Sequence, residues 1–249
     1  MLKKYSLKYD DFKKIKDKCN RKRIKFMTSL FDEDSVNNVK KLNLKVFKIP
    51  SGEINNVPLL RRIGKLKKKI IISTGMSTLN ETKAAINILT KSGTKQKNIS
   101  VLHCSTEYPA EISKLNLMSI KYLKDKLKMR VGYSDHSTGI GASIISLAFG
   151  ATILEKHFTL NKKLKGPDHS SSLSPAELNY YVKNIRIFEK SIGDYKKNPN
   201  NNELKNLNIV RKQIVAKNRI TKGQIFTNKN ITTKRAKKGI SAARWDKVI

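Results

Sequence analysis

Short apolar, β-prone runs that end in polar residues recur along the first three quarters of the chain. They occupy residues 24–29, 46–51, 69–74, 99–105, 129–134 and 151–157. Between them, apolar positions fall at helical spacing over residues 34–42, 56–63, 78–92, 116–126 and 140–147, and a sixth helical stretch, 175–192, follows a loop rich in Gly, Pro and Ser. Asp32 is placed to cap the first of these helices, and Thr78 with Glu81 forms a capping-box signature for the third. Strands and helices alternating every 20–30 residues predict a parallel α/β fold.

Two architectures fit that alternation, a doubly wound sheet and a (β/α)8 barrel. The polar strand ends separate them. Ser29, Ser51 to Glu53, Ser73 to Gly75, Ser105 to Tyr108, Ser134 to His136 and Glu155 to His157 each follow an apolar run. A doubly wound sheet gathers its site at one switch point, whereas a barrel draws on the C-terminal ends of all its strands. The pattern favours the (β/α)8 TIM barrel, with six of its eight strands readable.

After Gly193 the pattern changes. Residues 194–206 are polar and turn-rich and are expected to form a linker. Short β-like pieces follow at 209–210, 213–216, 224–226 and 231–233, predicting a small β-rich domain over 207–249 behind the main domain of 1–193.

Charge changes the picture less than its size suggests. The formal net charge is +34, which raises nucleic-acid binding as a possibility. The excess is mostly Lys, spread along the chain with abundant Asn and Ile, and no helix-turn-helix, zinc-finger or aromatic RNA-binding signature accompanies it. No specific nucleic-acid partner is therefore expected, only weak salt-sensitive binding to polyanions. No run of about 18 apolar residues and no apolar leader segment are present, so neither membrane insertion nor secretion is expected, and the expected location is cytoplasmic. Cys19 and Cys104 have no metal or redox spacing; Cys104, inside an apolar run, reads as a small core residue.

The candidate chemistry begins with His136 and His157, which end consecutive runs. On neighbouring parallel strands, both imidazoles open at the same end of the sheet, where they can bind a divalent cation and leave positions for substrate oxygens. Taken singly, each could be an ordinary hydrogen-bonded histidine. The other polar residues have plain alternatives too. Lys48 could be one more solvated lysine, the serines could end strands, Glu53 could cap the following helix and Asp168 could belong to a Gly-Pro-Asp turn. His103 and His169 read as structural and loop residues.

Six ordered segments resemble the N-acetylneuraminate (sialic acid) synthase family: residues 48–56, 73–76, 102–109, 132–136, 155–159 and 166–169. The tail, with Thr233-Lys234-Arg235, Gly239-Ile240-Ser241 and Arg244-Trp245-Asp246, is similar to the antifreeze-like (SAF) domain that ends these enzymes. The resemblance implies condensation of phosphoenolpyruvate with an N-acetylated amino sugar such as N-acetylmannosamine, giving a sialic acid-type nonulosonate and phosphate with C–O cleavage. Legionaminic and pseudaminic acid synthases, or an inactive fragment of such a synthase, are the alternatives within the family. It implies Mn²⁺ or Mg²⁺ on His136 and His157, proton transfer by Glu53 and anchoring of phosphoenolpyruvate by Lys48. Ser29, Ser51, Ser73, Ser134 and Thr106 would bond the phosphate, and Tyr108, Glu155 and Asp168 the sugar hydroxyls. Arg235 would reach a neighbouring subunit's site in a domain-exchanged homodimer. Against the family pattern, the chain is expected to lack the first two βα units of the barrel and the last strands of the SAF domain, and Ser29-Leu30 stands where Thr-Pro is usual.

Overall fold

A computed structural model describes residues 7–249. The chain divides into two compact units, one running to Gly193 and the other covering Asp194–Ile249.

The first unit opens with α1 (Tyr9–Arg21), which the sequence reading missed; Asp10 and Asp11 in its first turn and Lys18 and Arg21 in its last suit the helix dipole. Then follow α2 (Glu33–Lys41), β1 (Val46–Ile49), α3 (Val57–Gly64), β2 (Lys69–Ser73), α4 (Leu79–Lys91), β3 (Ile99–Cys104), α5 (Met118–Leu127), β4 (Arg130–Asp135), α6 (Gly141–Ala148), β5 (Leu154–Lys156) and α7 (Pro175–Ser191). Asp32 does cap α2, accepting from the Ser35 amide at 2.7 Å. Thr78 and Glu81 form the capping box of α4.

The five strands make one parallel sheet in the order β1-β2-β3-β4-β5. Residues 24–29 are not the strand expected. Pairing reaches only Ser29, bridged to Lys48, with Leu30 N–H donating to the Lys48 carbonyl and Lys48 N–H to that of Thr28. Ile24 is 63% exposed, so the apolar run lies outside the ladder that would have made it a strand.

Period-two alternation sorts the side chains. Phe47, Ile49, Ile70, Ile72, Ile99, Val101, Val131 and Tyr133 share one face and pack beneath the helices, against Leu60, Ile63, Leu89 and Ile120. Each such burial contributes about 1.5–3 kcal/mol. The other face carries Lys48, Ser73, Cys104, Ser134 and Glu155. This face is concave. Strands four places apart in a flat sheet lie about 19 Å apart, yet Lys48 Nζ of β1 stands 3.0 Å from Glu155 Oε1 of β5. The sheet is thus curled into half a barrel.

The second unit contains α8 (Asn201–Val210), β6 (Lys212–Ala216), β7 (Ile231–Arg235), β8 (Ile240–Ser241) and α9 (Trp245–Val248), with an antiparallel sheet in the order β7-β6-β8. Two expectations fail here. Residues 201–210 are helical, where a linker and then a β-piece were expected. Asn200 caps the amides of Asn202 and Glu203, and Glu203 bonds back to the Asn200 amide at 2.7 Å. The Asn that suggested a turn is an equally good N-cap. Residues 224–226 form no strand, because Gln224 N–H closes a turn onto the Thr221 carbonyl.

Candidate functional site

The concave face ends in a cavity of about 480 Å³ at the C-terminal ends of the strands. Of the site residues read from the sequence, Ser29, Lys48, Ser51, Ser73, Thr106, Tyr108, Ser134, His136, Glu155 and His157 line it. Strand geometry explains much of the convergence: Lys48, Ser73, Ser134 and Glu155 take inward positions on their strands, and Ser51, Thr106, Tyr108, His136 and His157 follow the strand ends.

One wall is cationic and rich in hydroxyls. Lys48 is 8% exposed and its ammonium is held by Glu155. Glu155 also accepts from Ser134 Oγ at 2.7 Å. Ser73 Oγ is buried with no hydrogen-bond partner among the described residues, which leaves a donor for an incoming oxygen. Ser51 Oγ accepts from the Gly75 amide at 2.9 Å and lies 3.2 Å from Cys104 Sγ. Gly75 is required at that turn: a Cβ would stand 2.5 Å from Thr106 Cγ2 and 2.9 Å from Ser51 Oγ. Small hydroxyls around a buried ammonium suit a compact anion, because each bond to it is charge-assisted.

The opposite wall is aromatic. The rings of His136 and His157 lie 5.4 Å apart, edge to face, and Tyr108 covers both, at 4.1 Å and 5.3 Å. His136 Nδ1 bonds the Ser105 carbonyl, so Nδ1 carries the proton and Nε2 presents a lone pair. Nε2 is 3.2 Å from Ser134 Oγ, but the single Ser134 proton goes to Glu155, which leaves that lone pair free for the cavity. Burial holds the His136 imidazole below the usual histidine range, outweighing the opposing bond to Ser105. A neutral imidazole with its second nitrogen fixed by a carbonyl is the form that binds metal. His157 Nδ1 lies 3.7 Å from Asp168 Oδ2. Asp168 adopts a left-handed conformation, φ 67°, in a turn fastened by Ser171 and Ser172, whose hydroxyls donate to its carbonyl. Among the described residues no cluster of three or more His, Cys, Asp or Glu groups forms. The donor set is a pair of imidazoles, which could hold a divalent cation only with further ligands from outside the described side chains.

Three candidates stand apart from the cavity wall. Glu53, in a short 3-10 turn (Ser51–Glu53), accepts from Asn56 Nδ2 at 2.7 Å. Asp168 reaches the site through His157. Arg235 is an exposed residue at the end of β7 in the second unit. Cys104 was read as a core residue; it is buried but also lines the cavity, its Sγ 3.2 Å from Ser51 Oγ. Alternation from Leu102 along β3 could have placed it there. Phe31 also lines the cavity, and no sequence signal marked it. His103 Nε2 meets the Leu115 carbonyl at 2.8 Å, while its ring stacks on Tyr133. His169 Nδ1 meets Thr159 Oγ1 at 2.8 Å in the loop after β5.

Comparison with known proteins places this geometry. A NeuB family model matches residues 1–197. The chain is 51% identical over 232 residues to the N,N'-diacetyllegionaminic acid synthase of Campylobacter jejuni, covering 93% of this chain and 69% of that protein. It is 34% identical to the N-acetylneuraminate-9-phosphate synthase of Homo sapiens, covering 91% of this chain and 62% of that protein. The crystal structure of an N-acetylneuraminic acid synthetase from Leptospira borgpetersenii, in complex with citrate, superposes with a TM-score of 0.76 at 31% identity, over 81% of this chain and 70% of that one. The chain belongs to the NeuB family, an enzyme of the sialic acid-type synthases, which are transferases of carbohydrate biosynthesis.

Proposed function

We propose that the chain condenses phosphoenolpyruvate with an N-acetylated six-carbon aldose to give a nine-carbon nonulosonate and phosphate. The carrying observation is the cavity itself, which sets a buried Lys48 ammonium and a Ser73 hydroxyl without a partner among the described residues against two imidazoles. One wall suits a phosphorylated carboxylate and the other a carbonyl substrate.

Lys48 would hold phosphoenolpyruvate, with Ser29, Ser51, Ser73 and Thr106 donating to its phosphate, joined by Ser134 once the anion displaces Glu155 from its hydroxyl. His136 and His157 would hold Mn²⁺ or Mg²⁺, which as a Lewis acid would polarise the aldehyde oxygen. C3 of the enol attacks the sugar carbonyl carbon, whose oxygen takes a proton. Water adds at C2, losing one proton to Glu53; the C2–O bond to phosphate then breaks as C2=O forms, the remaining hydroxyl proton leaving with the phosphate, which keeps its bridging oxygen. Tyr108, Glu155 and Asp168 would orient the sugar hydroxyls. The second unit would act as an SAF-type domain following the barrel domain, carrying Arg235 to the N-acetyl group of the site in a second copy of a domain-exchanged dimer.

The acceptor favoured by the relative at 51% identity bears two acetamido groups, since removal of the three pyruvate carbons from a diacetylated nine-carbon acid leaves a diacetamido six-carbon aldose. N-acetylmannosamine is the simpler alternative. Phosphate release from phosphoenolpyruvate, measured with each aldose in turn, tests the reading. Release is expected only with Mn²⁺ or Mg²⁺ and an acceptor, faster with the diacetamido aldose. Release that ignores the acceptor would refute the proposal.

A further inference from the structure

Asp135 and Lys156, next to the two histidines on their strands, form a second constellation that reaches towards α6, although Lys156 also lines the cavity. Asp135 of β4 lies directly opposite Lys156 of β5 in the sheet register. Their side chains are 0% and 3% exposed, and Nζ stands 3.1 Å from Oδ2. The carboxylate is saturated. Oδ1 accepts from the Ser137 amide at 2.9 Å and from Ser137 Oγ at 2.6 Å, and Oδ2 accepts from Ser143 Oγ of α6 at 2.5 Å. Lys156 Nζ also donates to the Ser137 carbonyl. Every polar group of Ser137 is thus tied to the pair. Asp135 and Ser137 flank His136, and Lys156 precedes His157, so the network fastens the backbone on both sides of one imidazole and next to the other.

Stability alone gives little reason for such a pair. Desolvating two ions costs several kcal/mol each, and apolar residues of similar volume often stabilise as well or better. An ion pair adds what apolar contacts lack, which is direction: fixed bonds between the ends of two adjacent strands.

We propose that Asp135 and Lys156 are positioning residues that lock the ends of β4 and β5 so that His136 and His157 keep a spacing suited to one shared ligand. The inference rests on the reading of the two imidazoles as the metal site. The test is the neutral double variant Asp135→Asn/Lys156→Met, which leaves no unpaired buried charge. Two readouts are taken on folded protein: Mn²⁺ affinity from the electron paramagnetic resonance of the free ion, and the tautomer of His136 from ¹⁵N chemical shifts of the metal-free protein. Mn²⁺ affinity should fall about 10–100-fold, the usual cost of losing a ligand's supporting shell. The His136 tautomer should change from Nδ1-protonated to a mixture, while phosphoenolpyruvate affinity changes less than about threefold. Wild-type tautomer and Mn²⁺ affinity in the double variant would overturn the positioning role. A wild type that binds no Mn²⁺, with the tautomer still shifting in the variant, would sustain the positioning role and overturn the metal reading. Should the double variant not fold, Ser137→Ala removes only a hydroxyl and should move both readouts in the same direction; no movement would overturn the proposal.

Discussion

At the scale of single residues, the cavity pairs charges that its ligands must separate. Lys48 is neutralised by Glu155 across the curled sheet, and an anionic ligand has to displace that carboxylate. Glu155→Gln should therefore tighten phosphoenolpyruvate binding while weakening the response to the sugar, as calorimetric titration would register; weaker phosphoenolpyruvate binding would contradict the competition. Lys48→Met should lose about 10–100-fold in phosphoenolpyruvate affinity, since a charged hydrogen bond is worth about 1.5–3 kcal/mol, and leave Mn²⁺ binding nearly intact. His136→Ala should do the reverse. Equal losses of both ligands in both variants would mean that the two walls do not act separately.

At the scale of elements, caps and close approaches decide where strands and helices end. Ser174 and Glu177 form the capping box of α7, and Glu177 also takes a 2.6 Å bond from Lys162 in the loop after β5. The Lys162 bond, with those from Ser174, pushes the Glu177 carboxyl down to about 2 from 4.5. A depressed folded pKa gives stability that is present above the unfolded value and lost as the group protonates in the fold. The advantage of wild type over Glu177→Gln should thus hold above about pH 4.5 and fade towards pH 2. A gap in melting temperature that stays constant across that range would contradict the assignment. Gly132 of β4 admits no side chain, because a Cβ would stand 2.3 Å from the Ile153 carbonyl oxygen. Gly132→Ala should destabilise by about 1–3 kcal/mol, read from denaturant melts.

These elements show what was legible beforehand. Apolar runs ending in polar residues betrayed five of the strands and the residues that line the cavity, because alternation puts the last inward residue at the mouth of the sheet. The N-cap at Asp32 and the capping box at Thr78 were legible because they are local. Residues 24–29 were misread because a strand depends on a neighbour, which a linear pattern does not contain. The Asn-rich approach to α8 was misread because caps and turns draw on the same residues. The pair Asp135–Lys156 was passed over because only the register of β4 and β5 sets the two charges opposite each other.

At the scale of the molecule, five parallel strands curl far enough for the first to touch the last through Lys48 and Glu155. That curl turns six scattered sequence segments into one cavity with an anion wall and an imidazole wall. No described helix is long and apolar enough to cross a membrane. The central claim is that these two walls join phosphoenolpyruvate to an amino sugar. Its most direct test is to incubate the chain with phosphoenolpyruvate, Mn²⁺ and a diacetamido six-carbon aldose, and to weigh the product by mass spectrometry while counting phosphate. One nine-carbon acid formed for each phosphate released is the predicted result. Phosphate accompanied by free pyruvate, or phosphoenolpyruvate left intact beside the sugar, would contradict it.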